Sequence, residues 1–392
     1  MDIQNKVSLV KDTIPNSEID GLITWLKGYP RLTKGEVTKK FEVEWSKWLG
    51  VKYSVFVNSG SSANLAMFYA LKLSKRLRNN NIIVPCVSWV TSVSPVIQLG
   101  MNPILCDASS EDLGLDVTHF EQLCKEHNPS CVLLVHILGF PNDVDKILKI
   151  CKKYDILVLE DSCESVGSLS SGIKTGNFGV MSTFSTYFGH HFSTIEGGLI
   201  STNDFELYEI LLSIRSHGWS RDLSTSTRDR LQKTYNVDDF RNLYTFYHPG
   251  FNLRATEIQA FLGVKQLETL DAKNDIRYQN LLQYDSLINN DYWKIKVKDF
   301  ISNFSYPIIH PCKDAIVSNL TKEGVECRPL VCGSIARQPF YTDLYGVEHH
   351  EFADKVHDFG LYVPNHPEMT TEEITNISTI INQTIIENEK KF

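Results

Sequence analysis

The sequence predicts an α/β protein: a large domain with a mixed, mostly parallel sheet, followed by a smaller C-terminal α+β domain. Three observations predict it. Short apolar runs rich in β-branched residues alternate with stretches of helical period, the pattern of successive βαβ units. One apolar run, Leu157–Leu159, ends in paired acids, where a parallel strand hands over to a ligand-binding loop. After Leu270 the character shifts, and the polar stretch Asn274–Lys298 with its Asn/Asp turns introduces a second unit.

The elements follow in order. Tyr53–Val57 reads as a strand and Ser61–Leu73 as the helix after it. Ile82–Pro85 is a strand end, with a helix expected over Trp89–Leu99. Val132–His136, Ile156–Glu160 and Met181–Thr186 are strand candidates. Phe205–Ser216 and Arg254–Leu270 have helical spacing, whereas Arg221–Asp239, rich in Ser, Thr, Asp and Arg, reads as a mobile loop over the site. Short strands and helices then run to a closing helix over Thr370–Phe392. The expected domains are residues 1–270 and 271–392, with no internal repeat and no low-complexity tract.

With 392 residues, 42% apolar and 22% charged, the chain has the composition of a protein with a large core. A formal charge of −8 argues against nucleic acid or an anionic membrane as partner. The longest apolar runs, such as Val132–Ile137, are too short to span a bilayer. The polar start M-D-I-Q-N-K does not read as a signal peptide. Nine scattered cysteines without a C-x-x-C pair suit a reduced, cytoplasmic protein.

Three places carry chemistry. Asn58-Ser59-Gly60-Ser61-Ser62-Ala63-Asn64 joins a strand to a helix, and its small residues let backbone N–H groups at Gly60 and Ser61 approach a phosphate. The same residues also suit a Ser-rich helix cap without a ligand. Asp161, at the end of Leu157-Val158-Leu159-Glu160-Asp161, is placed to hold a proton on a pyridine nitrogen, or to cap a helix. Glu164 follows three residues later, in reach of a ring oxygen or as half of a capping box. Trp89, after another strand end, offers a flat indole for stacking, or packs as an ordinary core residue.

The stretch T-F-S-T-Y-F-G-H-H-F-S-T-I-E-G-G at Thr183–Gly198 resembles the lysine motif of the DegT/DnrJ/EryC1/StrS aminotransferase family. In that motif a Ser lies five residues before the Schiff-base lysine and Glu-Gly-Gly begins six after it. Ser185 and Glu196 keep both spacings, and the residue between them is His190. E-D-S-C-E-S-V-G at Glu160–Gly167, G-I-K-T-G-N-F-G at Gly172–Gly179 and F-N-L-R-A-T-E-I-Q-A at Phe251–Ala260 extend the resemblance from about Gly35 to Leu270. It implies the aspartate aminotransferase fold (PLP fold type I) and pyridoxal or pyridoxamine 5′-phosphate as cofactor. By resemblance, Gly60, Ser61 and Ser185 bind the phosphate, and Asn252 reaches the phosphate of a neighbouring subunit in a homodimer. His217, Arg254, Glu326 and Arg328 are candidates near the sugar or its diphosphate.

No lysine occurs between Lys174 and Lys233, so no neighbour replaces the missing amine. An imidazole cannot form the Schiff base, but it exchanges protons near neutral pH. His190 is therefore the catalytic candidate. The departure is similar to the subgroup of the family that removes the 3-hydroxyl of nucleotide-linked 4-keto-6-deoxy sugars. The implied substrate is a GDP-linked 4-keto-6-deoxymannose or heptose, and L-glutamate regenerates the amine cofactor. A nucleotide-sugar aminotransferase would need an amine at position 190. A dehydratase working through an iron–sulfur cluster would need clustered cysteines. A non-catalytic vitamin-binding protein is the third alternative, disfavoured by Asp161, Ser185 and Asn252. His191 invites a metal reading, but adjacent strand side chains face opposite ways, so no metal is expected.

Overall fold

The computed structural model describes residues 7–11 and 13–389. Twelve strands occur among them: β1 (Tyr53–Val57), β2 (Asn81–Pro85), β3 (Asn102–Cys106), β4 (Cys131–Val135), β5 (Leu157–Asp161), β6 (Leu169–Ser170), β7 (Ile173–Lys174), β8 (Met181–Ser185), β9 (Gly198–Thr202), β10 (Ser305–Ile309), β11 (Arg328–Pro329) and β12 (Gly360–Pro364). Seven form one sheet in the order β1-β9-β8-β5-β4-β2-β3. The β3–β2, β2–β4, β4–β5 and β5–β8 pairings are parallel, and β9 runs antiparallel to both β8 and β1. β1 therefore runs in the direction of β8 and β5, and the carboxyl ends of all these strands except β9 share one edge.

Helices cover both faces, so the central strands are buried on both sides and read as unbroken apolar runs, Cys131-Val132-Leu133-Leu134-Val135 being wholly buried. One core cluster holds Val55, Met67, Val84 and Leu133; another, on the opposite face, holds Ile83, Val132, Leu134 and Val158. β10, β12 and β11 make a second, antiparallel sheet whose Ile308 and Val363 join the first cluster. β3 and β9 had no counterpart in the sequence reading.

Four expectations need correction. Arg221–Asp239 is not a loop: a helix spans Thr225–Thr234. Ser224 initiates it by accepting the Thr227 N–H, and Glu209 in turn accepts the Ser224 N–H at 3.1 Å. The polar stretch after Leu270 is largely the helix Leu270–Leu287, which buries Asn274, Arg277 and Asn280. Those three polar side chains bond backbone carbonyls and interrupt the buried face that Leu270, Leu281 and Tyr284 also form, so the apolar period is weak. Asn274 donates to Val166 O at 2.9 Å and Arg277 to Phe304 O at 3.1 Å. The helical spacing from Arg254 resolves into a helix over Glu257–Leu267, begun by a capping box between Thr256 and Gln259. Finally, His190 and His191 lie on a turn beyond β8 and not on a strand. The closing helix covers Thr371–Glu389; residues 390–392 of that expectation, and the polar start 1–6, lie outside the described residues.

Candidate active site

The shared strand edge gathers the first group of expected residues. Ser59 caps the helix Gly60–Leu73 by accepting the Ser62 N–H at 3.0 Å. That first turn abuts the end of β8: a Cβ on Gly60 would lie 2.7 Å from Ser185 Cβ. Ser185 itself is buried and accepts the Tyr187 N–H at 3.3 Å.

Asp161 ends β5, 5% exposed. Its Oδ2 accepts from Asn64 Nδ2 at 2.7 Å and from Ser92 Oγ at 2.8 Å, and its Oδ1 from the Cys163 N–H at 3.1 Å. Asn64 is itself held through Oδ1, which accepts from Thr183 Oγ1 at 2.6 Å. No helix follows β5, only turns, so the cap reading of Asp161 and the capping-box reading of Glu164 fall away. The preceding acid has a different task. Glu160 faces the other way and accepts from the N–H groups of Gly176, Phe178 and Gly179, each at 2.7 Å, and lies 3.2 Å from His136 Nε2. It ties down the G-I-K-T-G-N-F-G loop. Glu164 accepts the Leu138 N–H at 2.7 Å, and burial pushes its carboxyl up to about 7.

Trp89 precedes the helix Val90–Gln98 and is 55% exposed, so the core reading does not hold. Ser92, one turn on, places that helix against Asp161. Ser61 Oγ in turn donates to Thr91 Oγ1 at 3.3 Å, so the Gly60 turn, the start of the Trp89 helix and the end of β5 adjoin one another at the strand edge, the candidate cofactor cleft.

His190 is half-buried on the turn after β8. Its Nδ1 lies 2.9 Å from the Cys163 carbonyl oxygen, and its ring centroid 5.2 Å from that of Phe304. A carbonyl oxygen only accepts, so Nδ1 carries the proton and Nε2 presents its lone pair. Burial holds the imidazole's pKa down, to about 4, against the opposing pull of the Cys163 carbonyl and the Asp161 charge. At neutral pH this ring is a base. His191 is fully buried and bonds Ser302 O through Nε2 at 2.7 Å.

The remaining candidates form two other groups. His217, Asn252 and Arg254 cluster at the surface, joined by Arg254 Nε to Asn252 Oδ1 at 3.1 Å and Arg254 Nη2 to His217 Nε2 at 3.5 Å. The backbone links them to the cleft, because the Asn58 N–H donates to Leu253 O at 2.9 Å. Arg328 and Glu326 pair with each other beside the second sheet, and Glu326 also accepts the Leu9 N–H at 2.9 Å. Arg328 lies opposite Tyr362 in the β11–β12 register. Sequence reasoning missed Ser92 and Phe304, and gave no role to Thr183 or the Cys163 carbonyl, though both residues stood in the quoted motifs. Asn64 stood in the quoted cradle but without its role. Only Ser92 had a local signal, three residues after Trp89 on the same helix face.

Three comparisons place this geometry among known proteins. The model of the DegT/DnrJ/EryC1/StrS aminotransferase family matches residues 14–382, well beyond the segment the motifs covered. GDP-4-keto-6-deoxy-D-mannose 3-dehydratase of Yersinia pseudotuberculosis is 37% identical over 365 residues, 89% of this chain and 91% of that protein. Among solved structures, E. coli GDP-4-keto-6-deoxy-D-mannose-3-dehydratase with bound hydrated PLP superposes with a TM-score of 0.88 at 31% identity, covering 96% of this chain and all of that one. A GDP-4-keto-6-deoxymannose-3-dehydratase with a trapped PLP–glutamate geminal diamine gives 0.87 at 30% identity, with 96% and 100% covered.

Proposed function

The chain belongs to the DegT/DnrJ/EryC1/StrS aminotransferase family, and on that premise we propose that it is a pyridoxamine phosphate-dependent 3-dehydratase of a GDP-linked 4-keto-6-deoxy sugar. One observation carries the reading: at the family's lysine position stands His190, with Nδ1–H engaged by Cys163 O and Nε2 free as a base.

The cleft fits the cofactor. The glycine at position 60 lets the helix's first turn meet β8 closely, as a phosphate cradle requires. Asn58 Oδ1, Ser88 Oγ and Ser162 Oγ, beside three strand ends, are buried oxygens with no hydrogen-bond partner among the described residues. When bound, pyridoxamine phosphate supplies an amine that condenses with the C4 ketone and a pyridinium ring that accepts electrons.

This chain's residues do the rest. Gly60, Ser61 and Ser185 bind the phosphate, and Trp89 stacks on the ring. Asp161, held by Asn64 and Ser92, keeps the ring nitrogen protonated. His190 removes a proton at Nε2 and then donates it to the departing 3-hydroxyl, acting as base and then acid. Because an imidazole forms no Schiff base, the unsaturated sugar amine is released and hydrolyses. In sum, sugar and glutamate give 3-deoxy-4-keto sugar, 2-oxoglutarate and ammonia. Residues 1–270 supply the cofactor contacts, and residues 271–392 contribute Phe304, Glu326 and Arg328. Asn252, exposed beside His217, reaches the partner's phosphate in a homodimer. Nine free cysteines suit work in the cytoplasm.

The test is direct. Glutamate with cofactor-loaded protein should yield 2-oxoglutarate and a shifted cofactor absorbance. A panel of GDP- and CDP-linked 4-keto sugars should then give ammonia and a deoxygenated GDP-sugar. A stable amino-sugar as product overturns the dehydratase reading.

A further inference from the structure

One guanidinium is buried near the turn that carries His190, with no carboxylate to meet it. Arg277, on the inward side of the helix Leu270–Leu287, is 1% exposed and forms no ion pair among the described residues. Burial holds its pKa down, to about 10, so it still carries its charge at neutral pH. Its Nη1 donates to three backbone oxygens, those of Phe304 at 3.1 Å, Asn303 at 3.4 Å and Asn365. Its Nε has no hydrogen-bond partner among the described residues. Asn365 closes the group by donating through Nδ2 to Arg277 O at 3.0 Å and to Asn303 Oδ1 at 2.8 Å.

Two of those oxygens belong to the segment that packs on the base. The Phe304 ring centroid lies 5.2 Å from that of His190 and 6.1 Å from that of His191. The Phe304 N–H and Asn303 Nδ2 both donate to Leu138 O, at 3.0 and 2.8 Å, and Ser302 O accepts from His191 Nε2 at 2.7 Å. Arg277 thus grips a stretch that joins the second sheet to the His190 turn. A buried cation without an anion is costly, and an apolar side chain of similar size would fill the space at less cost. What an apolar side chain lacks is a donor for these carbonyls and a charge near the imidazole. Burial is the main reason that imidazole stays neutral; Asp161, from the end of β5, favours its proton, and Arg277 disfavours it. Its other titratable neighbours are Cys163, Tyr187 with its ring centroid 6.4 Å away, and His191, which burial and Arg277 also hold neutral.

We propose that Arg277 is a positioning residue for His190. It fixes Phe304 through that residue's own carbonyl, so that the ring backs the imidazole, and it brings an unneutralised cation to the surroundings of the base. The inference rests on His190 acting as the base, as proposed above. It gives the helix Leu270–Leu287 a part in the chemistry without touching substrate.

An NMR titration of the histidine-labelled full chain, with the His190 signal assigned by its loss in His190→Asn, reads the imidazole without turnover. Arg277→Gln can still donate to a carbonyl but is uncharged, and loss of the cation favours the protonated ring. The His190 midpoint and the acidic limb of the glutamate half-reaction should therefore both move up, by about one pH unit. Arg277→Lys keeps the charge and should leave the midpoint near its wild-type value while kcat falls. Phe304→Leu keeps the backbone carbonyls and the cation. It should lower kcat of the half-reaction about tenfold, the worth of one aromatic contact, with pyridoxal phosphate affinity unchanged, and it carries the test alone if Arg277→Gln does not fold. Slowed turnover in Arg277→Gln with an unmoved midpoint makes Arg277 merely structural and overturns the inference, as does wild-type turnover by Phe304→Leu. A half-reaction that His190→Asn leaves intact instead overturns the role of His190, and the inference with it.

Discussion

His190 Nδ1 donates to the carbonyl oxygen of Cys163 at 2.9 Å, two residues past the carboxylate of Asp161. One turn of chain after β5 thus fixes both the acid that would hold the ring proton and the tautomer of the base that would move the other one. The predictions below follow from that coupling and from the packing around it.

Replacing His190 by Asn keeps a side chain able to donate to Cys163 O but removes the base. Dehydration should fall roughly a hundred- to ten-thousand-fold, while cofactor titration by absorbance stays close to wild type. Borohydride treatment of the wild-type protein should leave no covalent cofactor adduct by mass spectrometry. A reduced adduct on any lysine contradicts the role assigned to His190.

Asn64→Leu strips Asp161 Oδ2 of one of its two side-chain donors and Thr183 Oγ1 of the nearer of its two acceptors, leaving Glu160 O at 3.3 Å. A buried carboxylate that loses a hydrogen bond costs about 1.5–3 kcal/mol. Denaturant unfolding should show that loss, and cofactor affinity should drop with it.

Gly60→Ala puts a methyl group 2.7 Å from Ser185 Cβ. Helix and β8 must separate, at about 1–3 kcal/mol for an overpacked contact. Titration with pyridoxal phosphate should show weakened binding, with the far-UV spectrum unchanged.

The imidazole of His190 is held down to about 4 from an ordinary 6.5. A depressed histidine binds fewer protons folded than unfolded between those values, so stability rises with pH across that window. Stability contributed by the neutral ring is complete above about 6.5 and is lost as pH falls toward 4. His366, also held at about 4 by burial, adds to the same slope. Because the working form is the neutral base, the acidic limb of the glutamate half-reaction should lie below pH 6.5. A limb at or above that value, followed by cofactor absorbance, contradicts the assignment.

Arg215 is 1% exposed and pairs with Glu42, which also accepts the Phe56 N–H at 2.8 Å. Arg215→Met strands a buried carboxylate and should destabilise by about 3–5 kcal/mol. Adding Glu42→Leu should recover part of that in chemical denaturation.

The sequence by itself determined the parallel sheet, most of its strands, and the departure at position 190. Those features are local: apolar period, the Ser185 and Glu196 spacing, and a lysine-free stretch are written in neighbouring residues. It left open whether Asp161 capped a helix, and it read the segments after Leu270 and Arg221 as irregular. Tertiary structure decided these because partners lie far apart in the chain. Asn64 reaches Asp161 across 97 residues and Ser92 across 69, by virtue of strand order alone. The helix Leu270–Leu287 escaped notice because Asn274, Arg277 and Asn280 on its buried side bond the carbonyls of Val166, Phe304 and His366, brought to it from distant segments, so polarity there no longer signals solvent.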